Sequence, residues 1–258
     1  LDISGYDSHE GYREILEILG YMEGVPETAL HVYDRKEWEA ESEDTEKFDA
    51  IGIYMPEGAE AGSVMAKNRK SRKMMEKIGS ISKGELPFLL SAFSMLKEDG
   101  ILAAILPGAL LYREGKESQL RRILVNEKNG LDMVMLLPDH ILQAAGQKEV
   151  LLLLRKNRPG RDVMFFDCSE VESFESEQLN AIEIAWKERK TVPGFCSRVE
   201  QTQLEQNDFN LNLPRYIVKT VKVAQIDIEA RKKRIVEIDR ELEEVEKRIA
   251  MYKRDLGL

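Results

Sequence analysis

Short apolar runs and helical periodicity alternate through the first 166 residues. Leu1 to Tyr6, Ala29 to Tyr33, residues 49–54, Ile101 to Leu106, Asp132 to Leu137 and Val150 to Leu154 read as strands, and Val163 to Phe166 as an edge strand. Residues 10–23 put Tyr12, Ile15, Leu16, Leu19 and Met22 on one helical face. Leu86 to Lys97 reads as a helix ended by Glu98-Asp99-Gly100, and 116–126 as a helix with Leu120, Ile123 and Leu124 inward. Residues 37–46 form an acidic connection. The alternation predicts an α/β fold with a largely parallel sheet covered on both faces.

After Asp167 the texture changes. Residues 175–190 suggest a helix, and 191–216 read as loop, ending in "NDFNLNLPRYI". From 217 onward, Ile217, Val221, Ala224, Ile228, Arg231, Ile235, Ile238, Leu242, Val245, Ile249, Tyr252 and Leu256 recur at spacings of three and four. That is a heptad seam with one polar break at Arg231. A helix of about 40 residues is roughly 60 Å long, and it cannot bury such a seam on its own body. It needs a second helix, from this chain or another. The expected organisation is 1–170 as an α/β domain, 171–216 as a closing segment, and 217–258 as a pairing helix.

Composition narrows the function classes. Hydrophobic residues make up 43% of 258, enough for a full core. The net charge of −9 excludes a free-standing basic DNA binder, so a nucleic-acid role needs a local basic patch or a basic partner. Two cysteines without CxxC spacing and three scattered histidines give no disulfide framework and no metal motif, and fit a reducing cytoplasm. No apolar run approaches the roughly 20 residues of a membrane span. The chain opens on Leu1 rather than Met, as expected of a fragment or a processed form.

Candidate chemistry gathers at strand ends, where open α/β sheets bind ligands. The first strand ends at Gly5-Tyr6-Asp7: Asp7 suits a ribose acceptor and equally a helix N-cap. Asp34 ends the second, either accepting from a nucleobase amine or simply starting a loop. No GxGxxG or P-loop is present. In 67–77, Lys67, Arg69, Lys70, Arg72, Lys73 and Lys77 form a basic cluster that would pair with phosphates or be a solvated helix face. Arg121, Arg122 and the Arg155–Arg158 run read as ordinary surface. The strand of 49–54 stops at Tyr54-Met55-Pro56-Glu57.

Three stretches together resemble the modification subunit of type I restriction-modification systems, the bacterial and archaeal adenine-specific DNA methyltransferases that use S-adenosylmethionine. They are "NDFNLNLPRYI" (207–217), "LKEDGILAAILPGALLYREGKESQLRRIL" (96–124) and "LLLLRKNRPGRDVMFFDCSE" (151–170). The resemblance implies a Rossmann-like methyltransferase sheet lacking its first strand in this chain, with the family's glycine-rich cofactor turn upstream of Leu1. It gives Asp7 the cofactor ribose and Asp34 the cofactor adenine. It implies DNA as a partner, through Lys67, Arg69, Lys70, Arg72 and Lys73, and a specificity-type subunit or a second copy on helix 217–258.

At one point the chain departs from that family. Asn-Pro-Pro-aromatic is expected where Tyr54, Met55, Pro56 and Glu57 stand. In the family, the amide oxygen and the first proline carbonyl accept from the target amine, and the ring stacks on the extruded base. Tyr54 has no amide and Glu57 has no ring. The expectation is a modification-subunit-like component with impaired or absent catalysis. The alternatives are an active adenine methyltransferase and a non-enzymatic coiled-coil adaptor.

Overall fold

Strands β1 (Ile3–Tyr6) and β2 (Leu30–Tyr33) pair in parallel, with Tyr6 opposite Tyr33. A second sheet joins β3 (Phe48–Tyr54), β4 (Leu96–Pro107), β5 (Leu131–Leu136), β6 (Glu149–Arg155), β7 (Val163–Asp167) and β8 (Cys196–Val199) in the order β3-β4-β6-β5-β7-β8. The helices are α1 (Glu85–Met95), α2 (Lys116–Arg122), α3 (Ser176–Lys187) and α4 (Gln201–Gln206). This computed structural model describes residues 3–6, 30–33, 48–55, 85–139 and 148–218. It also describes scattered positions at 13–15, 18, 19, 22, 24 and 26, and at 238, 240–242, 244–249 and 252.

The sheet is less parallel than the sequence pattern predicts. β3, β4, β5 and β7 run one way, whereas β6 and β8 run the other. β6 inserts between β4 and β5, pairing Ile105 with Leu151 on one side and Met135 with Leu151 on the other. Its apolar residues serve either direction equally, so composition carries no sign of the reversal.

Alternating side chains feed two cores, as a sheet buried on both faces requires. Leu102, Ala104, Leu106, Val134, Val150, Leu152 and Phe165 pack on one face with α1, α2 and residues 209–217. Met133, Met135, Met164, Phe166 and Cys196 pack on the other with Ile182 and Ala185 of α3. Phe165 and Phe166 are fully buried, each side chain contributing about 1.5–3 kcal/mol. β7 is thus an interior strand, not an edge, because β8 covers its outer side. Residues 191–216 are not loop throughout: β8, α4 and a 3-10 turn at Leu213–Arg215 lie there.

Helix α1 stops at Met95, and β4 begins at Leu96 opposite Phe48. The ladder then skips to Ala50 opposite Ile101, and Asp99 takes a positive φ of 62° in the intervening bulge. α2 runs on through a π-helical turn at Ile123–Glu127. Residues 13–15, 18, 19 and 22 are helical, with Ile15, Leu19 and Met22 at least half exposed.

The chain forms two compact units, Leu1–Lys219 and Thr220–Leu258. Ile217, read as the first seam residue, belongs to the core of the first unit and is 6% exposed. In the second unit residues 240–242 and 244–249 are helical, and Ile238, Leu242, Val245, Ile249 and Tyr252 are exposed. The rest of the predicted 217–258 helix lies outside the described residues. No helix among the described residues is long and apolar enough to cross a membrane.

Candidate functional site

One inter-strand hydrogen bond extends beyond the end of β3 at Tyr54. The Met55 N–H donates to the Ile105 carbonyl at 3.0 Å, and the Met55 side chain is buried in the core. A proline here would have no hydrogen to give. Tyr54 is 53% exposed, and its phenol faces the carboxylate of Glu149, the first residue of β6. Glu149 is buried opposite Pro107. Lost hydration, and then the facing Glu149 carboxylate, raise the Tyr54 pKa. Burial raises that of Glu149, against the pull of the Tyr54 phenol.

Beside this pair lies a cavity of about 320 Å³. The end of β4 and the turn after it (Pro107 to Tyr112), the end of β5 (Leu136), the start of β6 (Lys148, Val150) and Asn212 to Pro214 line it. Gly108 lets the two strand ends meet. Its N–H donates to Lys148 O at 2.7 Å, and a Cβ added there would stand 2.8 Å from the same oxygen.

The 207–217 segment is held against this cavity by a buried cation. Arg121 is 3% exposed and donates from Nε to Phe209 O (3.2 Å) and from Nη1 to Leu110 O (3.0 Å). Burial lowers its pKa, against the pull of Glu117, Asp208 and Glu114. Arg122 pairs with Asp208 and lies 5.2 Å from the centre of the Phe209 ring. Asp208 and Phe209 both take positive φ, 51° and 53°, which is uncommon for a bulky residue. The Leu211 N–H donates to Leu111 O at 2.9 Å.

Tyr216 closes the segment. Its hydroxyl donates to Asn210 O at 2.5 Å, and its ring centre is 4.5 Å from that of Phe165. Burial pushes the phenol from 10.0 up to about 12, partly offset by Arg215. The folded chain therefore holds it neutral. Its contribution to stability is complete below pH 10 and is lost as pH rises toward 12. Tyr216→Phe should flatten that part of the alkaline decline and cost about 1 kcal/mol at neutral pH. Urea midpoints across the pH range check this, and identical alkaline slopes in both proteins would refute it.

Two arginines expected at the surface are buried, Arg121 and Arg158. Arg158 belongs to an ionic cluster at the opposite, amino end of β5. Asp132, fully buried, meets Arg158 Nε at 3.0 Å, Trp186 Nε1 at 3.0 Å, Arg155 at 3.7 Å and Arg189. The Arg158 guanidinium also donates to the Leu131 and Asp162 carbonyls. Arg198 pairs with Asp162 at 3.2 Å. This cluster ties strand ends together and stands apart from the cavity.

Of the residues singled out in the sequence, the structure places Tyr54 and Met55 at the carboxyl end of β3, next to the cavity. Pro56, Glu57, Asp7, Asp34, Lys67, Arg69, Lys70, Arg72 and Lys73 lie outside the described residues. Asp7 and Asp34 directly follow Tyr6 and Tyr33, which are register partners. Glu149 and Arg121 escaped the sequence reading. Glu149 looks like the polar start of a strand, and only the position of Arg121 beside the inward Leu120 hinted at burial. No group of three or more His, Cys, Asp or Glu that could hold a metal occurs among the described residues.

A sheet with one strand reversed between parallel neighbours, and a cavity at its carboxyl ends, is the fold of S-adenosylmethionine-dependent methyltransferases. The chain superimposes on a putative class I enzyme of that kind from Listeria monocytogenes with TM-score 0.53 and 14% identity, over 72% of this chain and 55% of that one. The type I restriction-modification methyltransferase subunit from Streptococcus thermophilus matches with TM-score 0.73 and 24% identity, over 84% of this chain and 48% of that one. In sequence, the MpnII methylase subunit of Mycoplasma pneumoniae is 27% identical over 165 residues, 61% of this chain and 30% of the relative. The N-6 DNA methylase family model matches residues 5–224, and the chain belongs to that family. It spans less than a third of the length of the curated relatives it matches.

Proposed function

We propose that this chain acts as a DNA-holding component of a type I restriction-modification assembly, built on the adenine-methylase fold, with methyl transfer impaired at its own strand end. One observation carries the reading. Where the family places an amide and a proline, the Tyr54 phenol faces the Glu149 carboxylate and the Met55 N–H continues the β-ladder. The acceptor that would orient a target amine is missing, and a tyrosine–carboxylate pair occupies its place.

The residues suit S-adenosylmethionine by chemistry: one carboxylate after each of two register-paired strands, Asp7 for ribose hydroxyls and Asp34 for the adenine amine. When bound, that cofactor supplies an electrophilic methyl group. The basic residues Lys67, Arg69, Lys70, Arg72 and Lys73 supply phosphate contacts, which offsets the acidic charge of the rest of the chain. The exposed apolar stripe Ile238, Leu242, Val245, Ile249 and Tyr252 suits a helical partner, a specificity-type subunit or a second copy.

Calorimetry with S-adenosylmethionine and tritiated-methyl transfer to adenine-containing DNA test the reading together. Binding of the cofactor that Asp7→Ala removes, with transfer at background, is the expected result. Vigorous adenine methylation that Tyr54→Ala abolishes would overturn it.

A further inference from the structure

The ionic cluster at the amino end of the sheet holds more positive charge than the fold uses. Neighbouring strand ends carry it in the order Arg155 (β6), Asp132 (β5), Asp162 (just before β7) and Arg198 (β8). Alternation puts Arg155 and Arg198 on the α3 face, with Leu153 and Cys196, and there Trp186 of α3 donates to Asp132. With Arg158 and Arg189, four guanidiniums meet two buried carboxylates. A third carboxylate, Glu200, pairs with Arg198 at 3.1 Å and is exposed.

The donors divide unequally. Arg158 is used up inside, on Asp132 and the Leu131 and Asp162 carbonyls. Arg189 takes a positive φ of 54° just past the end of α3, where glycine is usual, and reaches Asp132 from there. Arg155 stands 3.7 Å from Asp132, beyond hydrogen-bond range, and its side chain makes no hydrogen bond among the described residues. The Asp132 oxygen nearest to it already accepts from Trp186. The Arg155 guanidinium lies over the Trp186 ring, 5.7 Å from its centre, with 37% of the side chain open to solvent. The Arg198 side chain is 45% open.

Both exposed guanidiniums are held from behind, one by a ring and one by Asp162, so little freedom is left to lose when an anion arrives. They stand three strand spacings apart, roughly 14 Å. Residues i and i+4 of an extended chain lie about 13 Å apart and point to one side. A duplex fits worse. The guanidiniums are part-buried beside Glu200 in a chain of net charge −9, and DNA held at the carboxyl ends of the strands lies at the far end of the sheet.

We propose that the amino end of the sheet, from Arg155 to Arg198, is a docking surface for an extended acidic segment of a partner protein, with carboxylates four residues apart on the two exposed guanidiniums. The proposal stands on this cluster and is independent of the DNA-holding reading.

An alternating threonine–glutamate nonapeptide is the probe, and its threonine–glutamine counterpart the control. The chain has two tryptophans, so in a full chain carrying Trp38→Phe the emission reports on Trp186. The glutamate peptide should shift that emission and bind about tenfold more tightly than the control at low salt. Arg155→Gln and Arg198→Gln should each weaken it about threefold, and together about tenfold, with melting temperatures unchanged. Arg155→Lys, which keeps the charge and loses the planar fork, should fall between wild type and Arg155→Gln. Duplex DNA should leave the Trp186 emission where it is. A duplex that shifts it, and loses that effect in the double variant, overturns the protein partner in favour of a phosphate surface. A glutamate peptide that binds no better than the control, or equally well to the double variant, overturns the proposal outright.

Discussion

Tyr54→Asn combined with Glu57→Phe should raise adenine methylation by the full chain about 10²-fold or more. The estimate follows from two missing interactions. An amide acceptor for the target amine and a ring to stack on the base are worth on the order of 1–3 kcal/mol each. Every 1.36 kcal/mol of transition-state stabilisation is about tenfold in rate. The neighbourhood favours the introduced amide. As a carboxylate, Glu149, which now faces Tyr54, can only accept, so in that form it would take an N–H of the amide and leave the amide oxygen turned to the base. Met55 is best left alone: proline there removes the donor to Ile105 O and a buried side chain from the core. Tritiated-methyl transfer to single-stranded and duplex DNA is the measurement. A double variant that binds cofactor and DNA but stays at background would show that the block lies elsewhere than positions 54 and 57.

What the sequence revealed, and what it concealed, follows from how local each signal is. The Ile101–Leu106 run and its stop at Pro107 gave the second half of β4 and one wall of the cavity, while its first residues, Leu96 to Gly100, read as the end of the preceding helix. The same locality exposed the altered strand end at Tyr54, because a turn motif is contiguous. β8 was hidden because Cys196-Ser197-Arg198-Val199 is short, with Ser197 only half-buried and Arg198 exposed. Missing it made β7 look like an edge. The reversal of β6 leaves no trace in a run of leucines. Arg121 and Arg158 read as surface because charged residues are rarely buried unpartnered. Their partners are remote: Phe209 O is 88 positions from Arg121, and Leu131 O is 27 from Arg158.

The far end of the sheet carries the largest stability prediction. Asp132→Ala should destabilise the fold by about 3–5 kcal/mol, because it leaves the Arg158 guanidinium buried without its closest counter-charge. Arg158 side-chain exposure is 2% and that of Asp132 is 0%, so water cannot replace the carboxylate. Burial already lowers the Arg158 pKa, and the Asp132 charge is the first effect opposing it. Trp186 also loses its acceptor, which makes its fluorescence a reporter at the site of the change. In urea the midpoint should fall by about 1–2 M. Asp132→Leu with Arg158→Met removes both charges, and most of the loss should be recovered, since an apolar pair of similar volume often matches a buried ion pair. Oligonucleotide affinity of the folded variants should stay at the wild-type value, because the cluster touches no residue of the cavity. An unchanged midpoint in Asp132→Ala would mean that Asp162 alone neutralises Arg158, and that the convergence of arginines on Asp132 does not hold the strand ends together.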